Sequence, residues 1–479
     1  MRLPEKGLSR DEVFARLESY RAGDVSWRDG RTFAYVYDPG PEAEAVIRQA
    51  YGMFLSENGL DPTVFPSALR LESELVAMAA SHLGGDENVV GNVSSGGTES
   101  ILLAVKAARD HARDRRPGVR TPEMILPVTA HAAFQKAAHY LDVKPVRVPV
   151  DSGTFRADPD AVRRAITRDT ILLVGSAVSY AHGVVDPIRE LGALALEHGL
   201  LFHVDACMGG FLLPFFRRLG APVTDFDLTV PGVTSISMDL HKYAFAAKGA
   251  STILYRSDDL RRFQIYTCAD WTGYSVVNPT VQSAKSVGPL AAAWAVLHFL
   301  GDEGYLRFAR SMLESTRKIV AAIDAHPDLR VLGRPEMNLV AFTSDSVGVF
   351  HVIDEMRARG WYVQPQLAHA GSKENIHLSV NPASERWVDA FLADLGACVE
   401  AARGRASEDG GELRQALAAL GERPLAPEAV AGLLAAAGVQ GSALPERMAG
   451  INQLMNALPT ALREQLLTEY FNQLYRLRG

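Results

Sequence analysis

Between residues 61 and 305, short runs of Val, Ile and Leu alternate with stretches whose apolar residues recur at helical spacing. This alternation constrains the fold more than any other feature of the chain. The clearest strand-like runs are "TRDTILLVGSA", "HGLLFHVDA", "VTSISMD" and "ASTILYR". Between them lie helical stretches such as "TESILLAVKAARDHARD" and "PIRELGALALEHG". Strands that are apolar on both faces must be covered on both faces, so the expected class is α/β with a mostly parallel sheet. Ligands on such sheets gather at the carboxyl ends of the strands.

At 479 residues the chain exceeds one ordinary compact domain. Residues 1–60 read as helices around a short β-like piece, "RTFAYVYD", and 61–305 as the large domain. Residues 306–403 read as a smaller α/β domain, with "NLVAFTSD" and "NIHLSVNP" as strands and "VFHVIDEMRARG" as a helix. A long helical pattern over 288–325 bridges the two. The remainder, 404–479, reads as a linker around "ARGRASEDGGE" and a closing amphipathic helix, "INQLMNALPTALREQLLTEYFNQLYRLRG".

The formal charge of −7 is spread along the chain, without the basic stripe that nucleic-acid binding requires. Charges throughout the first twenty residues argue against a secretory signal, and no run of about 18 apolar residues predicts a membrane span. Cys207, Cys268 and Cys398 have neither a disulfide pattern nor a metal-ligand spacing. A cytoplasmic protein without a metal is the expectation.

The chemistry-bearing residues fall at strand ends. In "NVSSGGTES", Ser95, Gly96, Gly97 and Thr98 lead into a helix, where unpaired N–H groups and the dipole favour a phosphate. The same pattern is also a common helix entry. His131 opens "HAAFQKAAHY". Asp205 ends the buried run "LLFHVDA", where a carboxylate needs a cationic partner. In "SMDLHKYAFAAKGAST", Lys242 follows His241 just beyond an apolar strand, and Lys248 comes six residues later. Together these residues suit a ligand with a phosphate, a flat ring, a basic ring nitrogen and an aldehyde. Pyridoxal 5'-phosphate has all four: Lys242 would condense with the aldehyde, Asp205 would hold the ring nitrogen protonated, His131 would stack on the ring, and His241 with the glycine turn would hold the phosphate.

In this order, "SSGGTES", "HAAFQKAA", "HVDACMGGF" and "TSISMDLHKYAFAAKGAST" resemble the group II pyridoxal-phosphate decarboxylases of the aspartate aminotransferase fold, and within them the sphingosine-1-phosphate lyase branch. The resemblance continues through "PTVFPSALRLESELVAMAASHLGG", "GVVDPIRELGALA", "DWTGYSVVNPT" and "WAVLHFLGDEGY". It implies retro-aldol cleavage of a phosphorylated amino alcohol to an aldehyde and phosphoethanolamine. It also implies that Tyr180 stands near the reacting carbons and that Tyr37 and Lys248 hold the substrate phosphate. The family forms dimers with shared active sites, so Asn278 and Thr280 of "NPT", with Lys285, are expected to serve a neighbouring subunit's cofactor.

The rim departs from the family pattern. Asp61 stands in "NGLDPTVFP" where the lyases carry a histidine associated with the phosphate. Asn278 replaces a serine, Lys285 an arginine, and Phe33 in "FAYVY" suggests a bulkier mouth. An aspartate would repel a phosphate monoester. Amino-acid decarboxylation therefore stays open beside the lyase reaction, since an acidic rim could hold a basic substrate. A cofactor-binding scaffold without turnover is a third reading, opposed by intact Lys242, Asp205 and His131.

Overall fold

The computed structural model describes residues 3–405 and 445–475, with three isolated positions between. Seven strands build the main sheet: β1 (Val90–Ser94), β2 (Glu123–Pro127), β3 (Lys144–Val148), β4 (Thr170–Ser176), β5 (Leu201–Asp205), β6 (Ser235–Met238) and β7 (Ser251–Tyr255). Their order is β1-β7-β6-β5-β4-β2-β3. All run parallel except β7, which is antiparallel to both β1 and β6. Every residue of β4 is buried, as a strand covered by helices on both faces requires. In register, Ser176 lies beside Asp205 and Asp205 beside Ser237, so the carboxyl ends of β4, β5 and β6 open at one level.

The 266–278 hairpin pairs β8 (Tyr266–Cys268) with β9 (Val276–Asn278). The helix Gly288–Ala325 follows, turning at Gly301 where φ is +57°. It carries Leu290 and Val296 into the core beneath the main sheet, and Ile319 and Ile323 into a second core. That second core is built on an antiparallel sheet, β10 (Arg330–Val331), β11 (Leu339–Thr343), β12 (Gln364–Gln366) and β13 (Asn375–Ser379), in the order β10-β11-β13-β12.

Phe33 belongs to this second core and not to any mouth. Its N–H donates to the Tyr362 carbonyl, and its ring, fully buried, sits 4.6 Å from Phe391 between centroids. The expectation of a bulkier entrance is corrected: a large apolar ring gains most where the helix 388–402 can cover it.

The closing segment is two helices, Ala449–Ala457 and Thr460–Leu474, where one was expected; Pro459 interrupts it because its ring cannot continue a helix interior. Asp354 accepts the first of these helices' free N–H groups, from Met448 at 2.8 Å and Ala449 at 3.0 Å. Of the expected linker "ARGRASEDGGE", residues 406–412 lie outside the described residues. Among the described residues no helix is long and apolar enough to cross a membrane.

Candidate active site

The carboxyl ends of β1, β5 and β6 face a cavity of about 590 Å³, within the range of small-molecule sites. Ser95, Gly96, Gly97, Thr98, His131, Tyr37, Tyr180, Asp205, His241 and Lys242 all line it. Thus ten of the residues singled out from the sequence converge, although 205 positions separate the first from the last.

One end is the start of the helix Gly97–Arg115, whose first N–H groups have no partner within the helix. A Cβ on Gly97 would lie 2.8 Å from an Asp239 oxygen and 2.9 Å from Cys207 Sγ, so only glycine lets the backbone come so close. Glu99 braces this turn. It accepts from Ser95 N–H at 2.6 Å with one oxygen and from Val281 N–H at 2.7 Å with the other.

Lys242 Nζ lies 2.8 Å from Asp239 Oδ2. Burial opposes its charge, but the Asp239 carboxylate outweighs burial and holds Lys242 above its ordinary range. Asp239 is itself fully enclosed; burial works to raise its carboxyl, and the Lys242 and His241 charges overcome that and lower it. Its other oxygen, Oδ1, has no partner among the described residues. His241 accepts from Ala250 N–H through Nδ1, which leaves the ring proton on Nε2, 3.5 Å from Asp239. Burial, partly offset by Asp239, lowers the pKa of His241.

Asp205 stands at the end of β5, with Oδ1 accepting from Cys207 N–H at 3.1 Å. Cys207 is a packed residue: burial pushes its thiol well up, and Sγ rests 3.2 Å from Ser237 Oγ. His131 is exposed at the cavity's edge.

Tyr180 donates to Gln364 Oε1 at 2.5 Å and stacks on His377, with centroids 4.5 Å apart. Burial raises its phenol above the ordinary value. Tyr37 packs edge-on against Tyr243, and Lys248 Nζ sits 4.5 Å from the Tyr37 ring centroid. Lys248 keeps contact with solvent, yet crowding, aided by the Lys242 charge, brings its pKa down to about 8.

Other expected residues stay apart from this cavity. Asp61 is exposed and turned to its own loop, accepting from Thr63 N–H at 2.8 Å and Thr63 Oγ1 at 2.6 Å. Asn278 ends β9, and Thr280 Oγ1 donates to the Gln282 carbonyl. Lys285 points inward, with Nζ 2.5 Å from Glu72 Oε2 and 3.1 Å from the Val93 carbonyl, so it braces β1.

Sequence reasoning missed Asp239, Glu99 and Gln364. Asp239 had a signal, lying three residues before Lys242 on the same strand end. Gln364 had none, because it is 184 residues from the phenol it binds.

The residues fit the cofactor they suggested. A glycine cradle at a helix start suits a phosphate, a lysine beside it suits an aldehyde, and a carboxylate at the end of β5 suits a protonated ring nitrogen. Fold and site together define a pyridoxal-phosphate-dependent lyase of the aspartate aminotransferase fold. The family description "pyridoxal-dependent decarboxylase conserved domain" matches residues 3–345. A second, "pyridoxal-dependent enzyme, C-terminal putative HTH domain", matches 411–473, and residues 449–473 of it cover all but the last residue of the two closing helices described above.

The sphingosine-1-phosphate lyase of Arabidopsis thaliana is 42% identical over 431 residues, 88% of this chain and 78% of the relative. The structure of the Burkholderia pseudomallei sphingosine-1-phosphate lyase superposes with a TM-score of 0.81 at 39% identity, covering 85% of this chain and 94% of that one. The glutamate decarboxylase of Lactobacillus brevis, at 19% identity and a TM-score of 0.73 over 84% of this chain and 95% of its own, shares the fold. The chain belongs to the sphingosine-1-phosphate lyase family of pyridoxal-dependent decarboxylases.

Proposed function

We propose that this enzyme cleaves the carbon–carbon bond of a phosphorylated amino alcohol such as sphingosine 1-phosphate, releasing a fatty aldehyde and phosphoethanolamine. The observation that carries this reading is the Lys248–Tyr37 pair, a compact cation beside the cavity with no carboxylate bonded to it among the described residues. The case for decarboxylation of a basic amino acid rested on an acidic rim, and Asp61 is spent on its own loop.

When bound, pyridoxal phosphate supplies an aldehyde for the substrate amine and a protonated ring that accepts the electron pair from the broken bond. Asp205 would keep that proton on the ring nitrogen. Lys242 would condense with the aldehyde, and Asp239, 2.8 Å away, would stabilise it as an ammonium once it is free and protonated. Lys248 and Tyr37 hold the substrate phosphate. Tyr180 is a phenol at neutral pH, since burial raises it. It would therefore orient the substrate hydroxyl and pass that proton on to the freed Lys242 amine, rather than acting as a standing base. Asn278 and Thr280 would serve a neighbouring subunit's site in a homodimer, acting in sphingolipid breakdown in the cytoplasm.

Product analysis by mass spectrometry on cofactor-loaded protein tests the reading. The protein is offered sphingosine 1-phosphate together with a panel of L-amino acids. Fatty aldehyde plus phosphoethanolamine is the expected result; carbon dioxide and an amine, with the phospholipid untouched, would overturn it.

A further inference from the structure

The reaction cavity has two annexes that share no lining residue with each other. One, reached past Tyr37 and His241, contains Lys248. The other, reached past His131 and Tyr180, is a chamber of about 230 Å³ between the two cores. A substrate centred on Lys242 has three arms to house: the amine, the phosphate, and the part that leaves as aldehyde. The first annex carries the cation and suits the phosphate. The second begins at Tyr180, beside the expected position of the reacting hydroxyl, and nothing else in the mechanism uses it.

Its walls define what it accepts. Val128, Val150, Phe155 and Leu367 make it largely apolar. Its lining holds no lysine, arginine, aspartate or glutamate. His182 stacks on Phe155 with centroids 4.0 Å apart, its Nε2 lies 3.0 Å from Ser372 Oγ, and burial brings its pKa down to about 4. His182 Nδ1 and Thr129 Oγ1 are buried without a partner among the described residues. A hydroxyl on an arm could pair there, whereas a carboxylate or ammonium would be desolvated with no lysine, arginine or acidic side chain on the walls to pair with.

We propose that this chamber is the subsite for the aldehyde-forming arm of the substrate and that it selects an uncharged, mainly aliphatic arm. At roughly 30 Å³ per water-sized group, it has room for about seven or eight carbons. A longer chain continues outward past the 367–372 loop, which the helix Ala449–Ala457 steadies through Asn456 Oδ1, the acceptor for Ala368 N–H at 2.7 Å. The proposal rests on the retro-aldol reading and adds the arm's class and the length over which it is gripped.

The test uses cofactor-loaded protein and 2-amino-3-hydroxyalkyl phosphates whose arms carry one, four, eight or fifteen carbons beyond the carbinol. Catalytic efficiency, read as phosphoethanolamine release, should rise by up to about fourfold per methylene, level off near eight carbons, and fail for an arm ending in carboxylate. Leu367→Trp, or Val150→Phe should the first not fold, should cost at least tenfold on the longer arms and leave the one-carbon arm unchanged. Efficiency independent of length, or an equal loss on every arm in the filled variants, would overturn the chamber while leaving the reaction intact. Should no member be cleaved, the retro-aldol reading falls. The chamber is then judged by the affinities of the 3-deoxy analogues, read from cofactor absorbance, which should show the same length dependence; a flat series would overturn it too.

Discussion

Lys242 and Lys248 lie six residues apart and are tuned in opposite directions. Lys242 is raised because Asp239 is 2.8 Å away; Lys248 comes down to about 8 because the surrounding protein desolvates its ammonium and the Lys242 charge repels it. Replacing Lys242 with Ala should abolish the visible absorbance of lysine-bound cofactor, and a retained band with full turnover would refute its role. For Lys248 the sign is definite. The ammonium is present below pH 8 and is lost as pH rises through that value. Catalytic efficiency toward phosphorylated substrates should therefore fall on the alkaline side with an apparent pKa near 8 in the free enzyme. A neutral analogue should lack that limb, and Lys248→Arg should move it upward, since a guanidinium stays charged. Lysines, histidines and an aspartate at strand ends are legible as chemistry from residue type and spacing alone. Phe33 was misread because a residue's type does not say which way its side chain turns.

At the scale of elements, β1 and the helix after it are held as a unit by two glutamates. Glu99 ties the cradle to residue 281, and Glu72 ties Lys285 to β1 through Asn92 Nδ2 at 3.0 Å and Val93 N–H at 2.9 Å. Lys285→Met should remove the cation while leaving Glu72 its two other donors. Breaking such a buried pair costs about 3–5 kcal/mol, and the loss should appear as a lower midpoint in urea unfolding. Cofactor affinity should fall with it, because β1 leads directly into the cradle. Strand and helix positions were readable from periodicity over 61–305. The bracing glutamates were not, since in the sequence each is one more charged residue on a helix.

Across the whole molecule, the N-terminal segment is part of the second core. Phe33 lies between Trp361 and Phe391, and its carbonyl accepts from Ser379 N–H at 2.6 Å. Phe33→Ala should destabilise the protein by about 3–5 kcal/mol, visible as a lower unfolding midpoint with cofactor bound. The loss should extend to β12, because that core supports Gln364 and through it Tyr180. The sequence by itself determined the α/β class and the cofactor. Those features follow from hydrophobic period and residue type, which are local. Only tertiary structure decided that Gln364 would hold Tyr180, that Lys285 would turn inward, that Phe33 would leave the entrance, and that a chamber would open beyond His131. These depend on the packing of segments hundreds of residues apart, and no local pattern encodes which side chains meet there.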